Sequence, residues 1–134
     1  MIVIDANILV YSLIECDSTP LAQELREKDA DWRTTGLCLH EMLNVLVTYQ
    51  RRSALTLAQC EELLRRATLF LQVAECETDM SAALAAAAHH RITGYDAQYV
   101  ALAQSLNAPL ITEDQKLRKA VPGIALSIQD FLAR

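Results

Sequence analysis

MIVIDANILV, residues 1–10, sets the architecture of this chain. Ile2, Val3 and Ile4 form a short β-branched run that stops at an acid, Asp5, the pattern of a buried parallel strand whose carboxyl end opens onto a site. A carboxylate set directly after an apolar strand loses its hydration without return unless it is paired, caps a helix or binds a metal. Asp5 is therefore the most informative acid in the sequence. The same segment has no positively charged start and is interrupted by Asp5, so it reads neither as a secretory leader nor as a membrane span of about 18 apolar residues. A cytoplasmic protein with no membrane association is expected.

From a first strand over 2–5, the pattern continues with a helix over Asn7–Ile14. Thr19 is placed to cap a second helix running to about Lys28, with Pro20 at its first position, and Trp32–Thr35 fits a second strand. The spacing of Leu39, Met42, Leu43, Leu46 and Val47 predicts an amphipathic helix over Leu37–Arg52, with Glu41 in its first turns. Thr56-Leu57-Ala58-Gln59 is a capping box opening a helix whose apolar stripe is Leu57, Cys60, Leu64, Ala67 and Leu71. An Ala-rich helix over Thr78–Arg91 and another over Tyr95–Asn107 follow. Pro109–Thr112 fits a strand, Thr112–Gln115 a second capping box for a helix through Ala120, and Ile124–Ile128 a last strand before a terminal helix. Strands alternating with helices, with no hairpin signal, imply an α/β fold with a mainly parallel sheet and helices on both faces.

Composition agrees. At 134 residues the chain is read as one domain, and with 52% apolar and 22% charged residues it can bury a self-sufficient core, which excludes disorder. Only 3 Gly and 3 Pro favour helices over a turn-rich all-β fold. Cys16, Cys38, Cys60 and Cys76 contain no C-x-x-C pair, so they read as reduced, mostly buried thiols rather than a zinc site. A formal charge of −5 argues against a protein that coats nucleic acid non-specifically.

Ligands of an open parallel sheet bind beyond the carboxyl ends of its strands, where Asp5 and Asp114 fall. Asp96 and Glu41, each near a helix start, can reach the same crevice. Four carboxylates brought together repel one another unless cations lie between them. Oxygen-only donors suit a hard ion, Mg²⁺ or Mn²⁺, and one or two such ions would support phosphodiester hydrolysis. Each acid also has a plainer reading: Asp96 completes Thr93-x-x-Asp96, a capping-box variant, Asp114 sits where the helix dipole favours any acid, and Glu in an early turn is ordinary. His40-Glu41 fails as H-E-x-x-H because position 44 is Asn, and His89-His90 reads as exposed helix surface. Arg51, Arg52, Arg65, Arg66, Arg91, Lys116, Arg118 and Lys119 are available for phosphates.

At these residues the sequence resembles the PIN-domain family. Asp5-Ala6-Asn7 fits its first element, LHEMLNVL around Glu41 its second, and TGYDAQYVALAQSLNAPLITEDQKL its third and fourth, with Asp96 in the Tyr-Asp-Ala context and Asp114 in the Thr-x-Asp context. Size and order are similar to VapC-type toxins of bacterial toxin–antitoxin pairs. The resemblance implies a PIN domain over 1–134: a helix-rich, three-layer α/β/α fold around a mainly parallel sheet of four to five strands. It implies an Mg²⁺- or Mn²⁺-dependent endoribonuclease, a homodimer, acting on RNA and held inactive by a cognate antitoxin. Carried over residue by residue, Asp5, Glu41, Asp96 and Asp114 would bind metal and orient the attacking water, with Asn7 and Thr112 as supporting polar groups. Glu113 is not separable from Asp114 at this level. The competing readings are a non-catalytic PIN-like module that binds RNA or protein, and an RNA-processing nuclease without an antitoxin. A haloacid-dehalogenase-type phosphatase would need a second acid at position 7, where Asn7 stands.

Overall fold

The computed structural model describes residues 1–134. The first half runs β1 (Ile2–Ile4), α1 (Ala6–Leu13), α2 (Thr19–Lys28), β2 (Trp32–Arg33), α3 (Leu37–Arg51) and α4 (Leu57–Ala74). The second runs α5 (Met80–His90), α6 (Gly94–Leu106), β3 (Leu110–Ile111), α7 (Gln115–Ala120), β4 (Ala125–Leu126) and α8 (Ile128–Leu132). No helix is long and apolar enough to cross a membrane.

The four strands form one sheet in the order β2-β1-β3-β4, and every pairing is parallel. Side chains of a strand alternate between faces, and Ile2, Val3 and Ile4 are all fully buried, so β1 is covered on both sides. That requirement explains its unbroken β-branched sequence. From β1 the chain first builds outward to β2 and then returns past β1 to β3 and β4. The reversal therefore lies between β1 and β3, where a parallel sheet opens its crevice.

α6 lies against β1 and β3 and buries Ala97, Tyr99, Val100, Ala101, Leu102 and Ala103. The alanines of α5 let it pack closely on α6. Asn107 ends α6 in the left-handed region at φ 50°, which Asn tolerates better than most side chains. α3 and α4 pack as an antiparallel pair across the turn 52–56, with the Thr56–Gln59 capping box fully formed. Beyond β2, the outer border of the sheet is closed at Thr34, whose N–H donates to Ala74 O (3.0 Å) and whose carbonyl accepts from Cys76 N (2.8 Å).

Several expectations are corrected. The first strand stops at Ile4, because Asp5 already serves as N-cap of α1. Thr19 does not cap α2: Ser18 holds that position, and the Thr19 hydroxyl accepts from Cys16 N (3.0 Å) and donates to Tyr11 O (2.8 Å), bracing the preceding loop. Thr112 does not cap α7, since its hydroxyl is drawn to Asp5 and Asp114 caps instead. Leu57 is exposed although its stripe partners Cys60, Ala67 and Leu71 are buried. All four cysteines are free, with Cys38 and Cys60 buried and the other two half-buried. The rings of His89 and His90 touch edge to face at 4.7 Å at the end of α5.

Candidate active site

The register of β1 on β3 pairs Ile4 with Ile111, so the next residues, Asp5 and Thr112, emerge side by side at the carboxyl end of the sheet. Asp5 uses both oxygens at once. Its Oδ1 accepts from Ile8 N at 3.2 Å, capping α1, and its Oδ2 accepts from the Thr112 hydroxyl at 2.5 Å. Thr112 Oγ1 in turn accepts from Asp114 N at 3.1 Å, and Asp114 caps α7 by accepting from Leu117 N at 3.1 Å. Two strand ends and two helix starts are thereby locked around one corner.

The other two acids arrive on helices. α6 carries Asp96 in its first turn, after the N-cap Thr93, whose hydroxyl accepts from Asp96 N at 3.1 Å. One turn later on the same helix, the buried Tyr99 hydroxyl donates to Glu41 Oε1 of α3 at 2.6 Å. Asp5, Glu41, Asp96 and Asp114 line a single cleft of about 250 Å³, together with Asn7, Asn44 and Tyr99. All four acids expected from the sequence thus meet, and Asn7 is at the rim; Thr112 stands behind Asp5 rather than in the wall.

Glu113 separates from this group. Its Oε1 accepts from Ile128 N at 2.8 Å at the start of α8, and Oε2 lies 3.9 Å from Arg118. It serves packing between the end of β3 and the terminal helix. Arg118 donates to Thr112 O at 2.9 Å, and Arg65 and Arg66 pair with Glu62. No lysine or arginine lines the acidic cleft. The sequence reading did not single out Tyr99 or Asn44. Each lies three residues after a site acid on the same helix, a spacing that puts both side chains on one face.

The electrostatics of the cleft follow from burial and like charge. Burial pushes the Asp5 carboxyl up to about 6, against the lowering effect of the Thr112 and Ile8 hydrogen bonds, and the nearby Glu41 and Asp96 charges add to the rise. Asp96 is also raised, by partial burial and then by the charge of Asp114. Burial pushes the Cys38 thiol up to about 12, so at neutral pH it is an uncharged neighbour of the acids.

No three or more His, Cys, Asp or Glu side chains in the chain are arranged as a ready-made metal cage. The donor set nevertheless fits a hard divalent ion: four carboxyl groups, no sulfur or imidazole, and no cation from the protein to balance them. Mg²⁺ keeps several waters and binds through only one or two carboxylates, so a closed cage is not required.

A crevice at the reversal point of a short parallel sheet, edged by acids from two strand ends and two helices, defines a small α/β protein with a carboxylate-lined cleft. The chain belongs to the PIN domain family, whose match covers residues 2–121. Among its relatives, Ribonuclease VapC3 of Pyrobaculum aerophilum is 27% identical over 126 residues, covering 92% of this chain and 96% of that protein. The crystal structure of PAE2754 from Pyrobaculum aerophilum superimposes with a TM-score of 0.76 at 21% identity, covering 98% of this chain and 93% of that one. That likeness establishes the fold.

Proposed function

We propose that this protein is a divalent-metal-dependent endoribonuclease of the VapC toxin type, cleaving RNA phosphodiester bonds by attack of water. The observation that carries the proposal is the meeting of Asp5, Glu41, Asp96 and Asp114 in one cleft. The name of the relative Ribonuclease VapC3 supports RNA as substrate, and a cognate antitoxin as partner belongs to the toxin-type reading. The homodimer belongs to the same reading, and exposed apolar side chains such as Val73, Met80 and Leu84 offer surface for a protein partner to cover.

In this reading Asp5, Glu41, Asp96 and Asp114 hold one or two Mg²⁺ or Mn²⁺ ions. Bound there, such ions would acidify a water and neutralise charge on the phosphate in the transition state. Thr112 and Ile8 N fix the Asp5 carboxyl between them, leaving it one orientation. Tyr99, in the lining of the cleft, holds Glu41 through a single hydrogen bond to Oε1. Asn7 and Asn44 supply neutral polar groups at the rim, able to donate to phosphate oxygens without a competing charge.

Asn is close in shape to Asp and can keep both contacts of residue 5, its carbonyl accepting from Ile8 N and its amide donating to Thr112 Oγ1. Asp5→Asn and Asp96→Asn are therefore expected to fold normally by circular dichroism and to lose RNA cleavage in Mn²⁺, while chelator abolishes cleavage by the unaltered protein. Cleavage that persists in both variants or in chelator overturns the proposal.

A further inference from the structure

Beside the acid cleft lies a larger cavity of about 610 Å³, within the roughly 300–1,000 Å³ typical of ligand sites. The two share Glu41 and Asn44 in their walls, so they adjoin. α3 supplies His40, Glu41 and Asn44 to one wall, and α6 supplies Tyr95 and Gln98 to the other. Glu41 is the one acid in the lining, and no lysine or arginine is present. That composition brings no positive charge for a phosphate and no second acid for a further cation. What it offers is an aromatic ring and uncharged hydrogen-bonding groups.

Tyr95 is 67% exposed, next to the half-buried Asp96 and one turn from the buried Tyr99 on the same helix. The exposed ring borders a concave surface rather than a flat one, which leaves its face open to a ligand seated there. The side chains of His40, Asn44, Tyr95 and Gln98 take part in none of the chain's hydrogen bonds; the Asn44 bond to Thr48 is made by its backbone carbonyl. An amide pair is the usual means of reading a base edge, and an aromatic face the usual platform for stacking an unpaired base.

We propose that this cavity is a subsite for an unpaired nucleobase adjoining the scissile phosphodiester, with Tyr95 as the stacking platform and Gln98 reading the base edge. The inference rests on the ribonuclease reading for the position of the phosphodiester, and it names the part of the substrate that the acids themselves do not contact.

The test is fluorescence anisotropy with a labelled single-stranded RNA, in an Asp5→Asn background so that the probe is not cut. Tyr95→Ala is expected to raise Kd roughly tenfold, whereas Tyr95→Phe and Tyr95→Trp hold it within about twofold. RNA with abasic residues in place of the bases should bind with equal, weaker affinity whether or not the Tyr95→Ala substitution is present. In the cleaving protein, Gln98→Ala should change which bases flank the cut, read by sequencing product ends. Undiminished affinity in Tyr95→Ala, an equal loss on abasic RNA, or no measurable binding of intact RNA overturns the subsite. The ribonuclease reading fails separately: base-dependent binding without metal-dependent cleavage by the unaltered protein would leave the subsite standing and remove the nuclease.

Discussion

Asp5 concentrates the physics of the molecule in one side chain. It caps α1, ties β1 to β3 through Thr112, and is held largely out of water. Its carboxyl is pushed up to about 6, above the roughly 3.9 of an unfolded Asp. Between these values the folded protein holds more protons than the unfolded chain, so the ion-free protein loses stability as pH rises from about 4 to about 6. The loss is on the order of 2–3 kcal/mol and is complete above the folded value. Melting in chelator at pH 4 and pH 7 should show it, and Asp5→Asn should flatten the difference; an unchanged slope in the variant removes Asp5 as its origin. This residue was legible because a lone acid after an apolar strand has few physical excuses. Glu113 was not: its partner Ile128 is 15 residues away, and nothing local distinguishes it from Asp114.

At the level of elements, α6 holds the site together. Asp96 enters the cleft from its first turn and Tyr99 reaches across to Glu41 on α3, so the relative placement of two helices fixes the relative placement of two acids. Tyr99→Phe keeps the ring in its buried place and deletes only this hydrogen bond, worth about 1–3 kcal/mol where one partner is charged. It should lower Tm modestly and cut RNA cleavage substantially, and combined with Glu41→Ala, which removes the acceptor, it should cost little more in stability than Glu41→Ala alone. Full additivity in that double-mutant cycle would show that the tyrosine acts through packing. Helices were readable to within a residue or two because their periodicity and caps are local. The strands were overestimated: β3 and β4 keep two residues each, since their ends are set by partners distant in sequence. The hydroxyls of Thr19 and Thr112 misled for the same reason, each being claimed by a tertiary acceptor in place of a cap.

For the whole molecule, the charge of −5 includes the four cleft acids, and two divalent ions at +2 each would bring it to −1. Repulsion relieved in this way should appear as stability. Mn²⁺ at about 100 times its Kd should stabilise the folded protein by about 2.7 kcal/mol, with a rise in Tm that Asp96→Asn diminishes. Calorimetry with and without Mn²⁺ decides it, and an equal rise in the variant would place the ion elsewhere. The closure at Thr34 has a further effect. With its amide engaged by Ala74 at the end of α4 and its carbonyl by Cys76 just beyond, Thr34 offers no open ladder there for a foreign strand to join. Self-assembly by β-zippering is thereby disfavoured along that margin of the sheet.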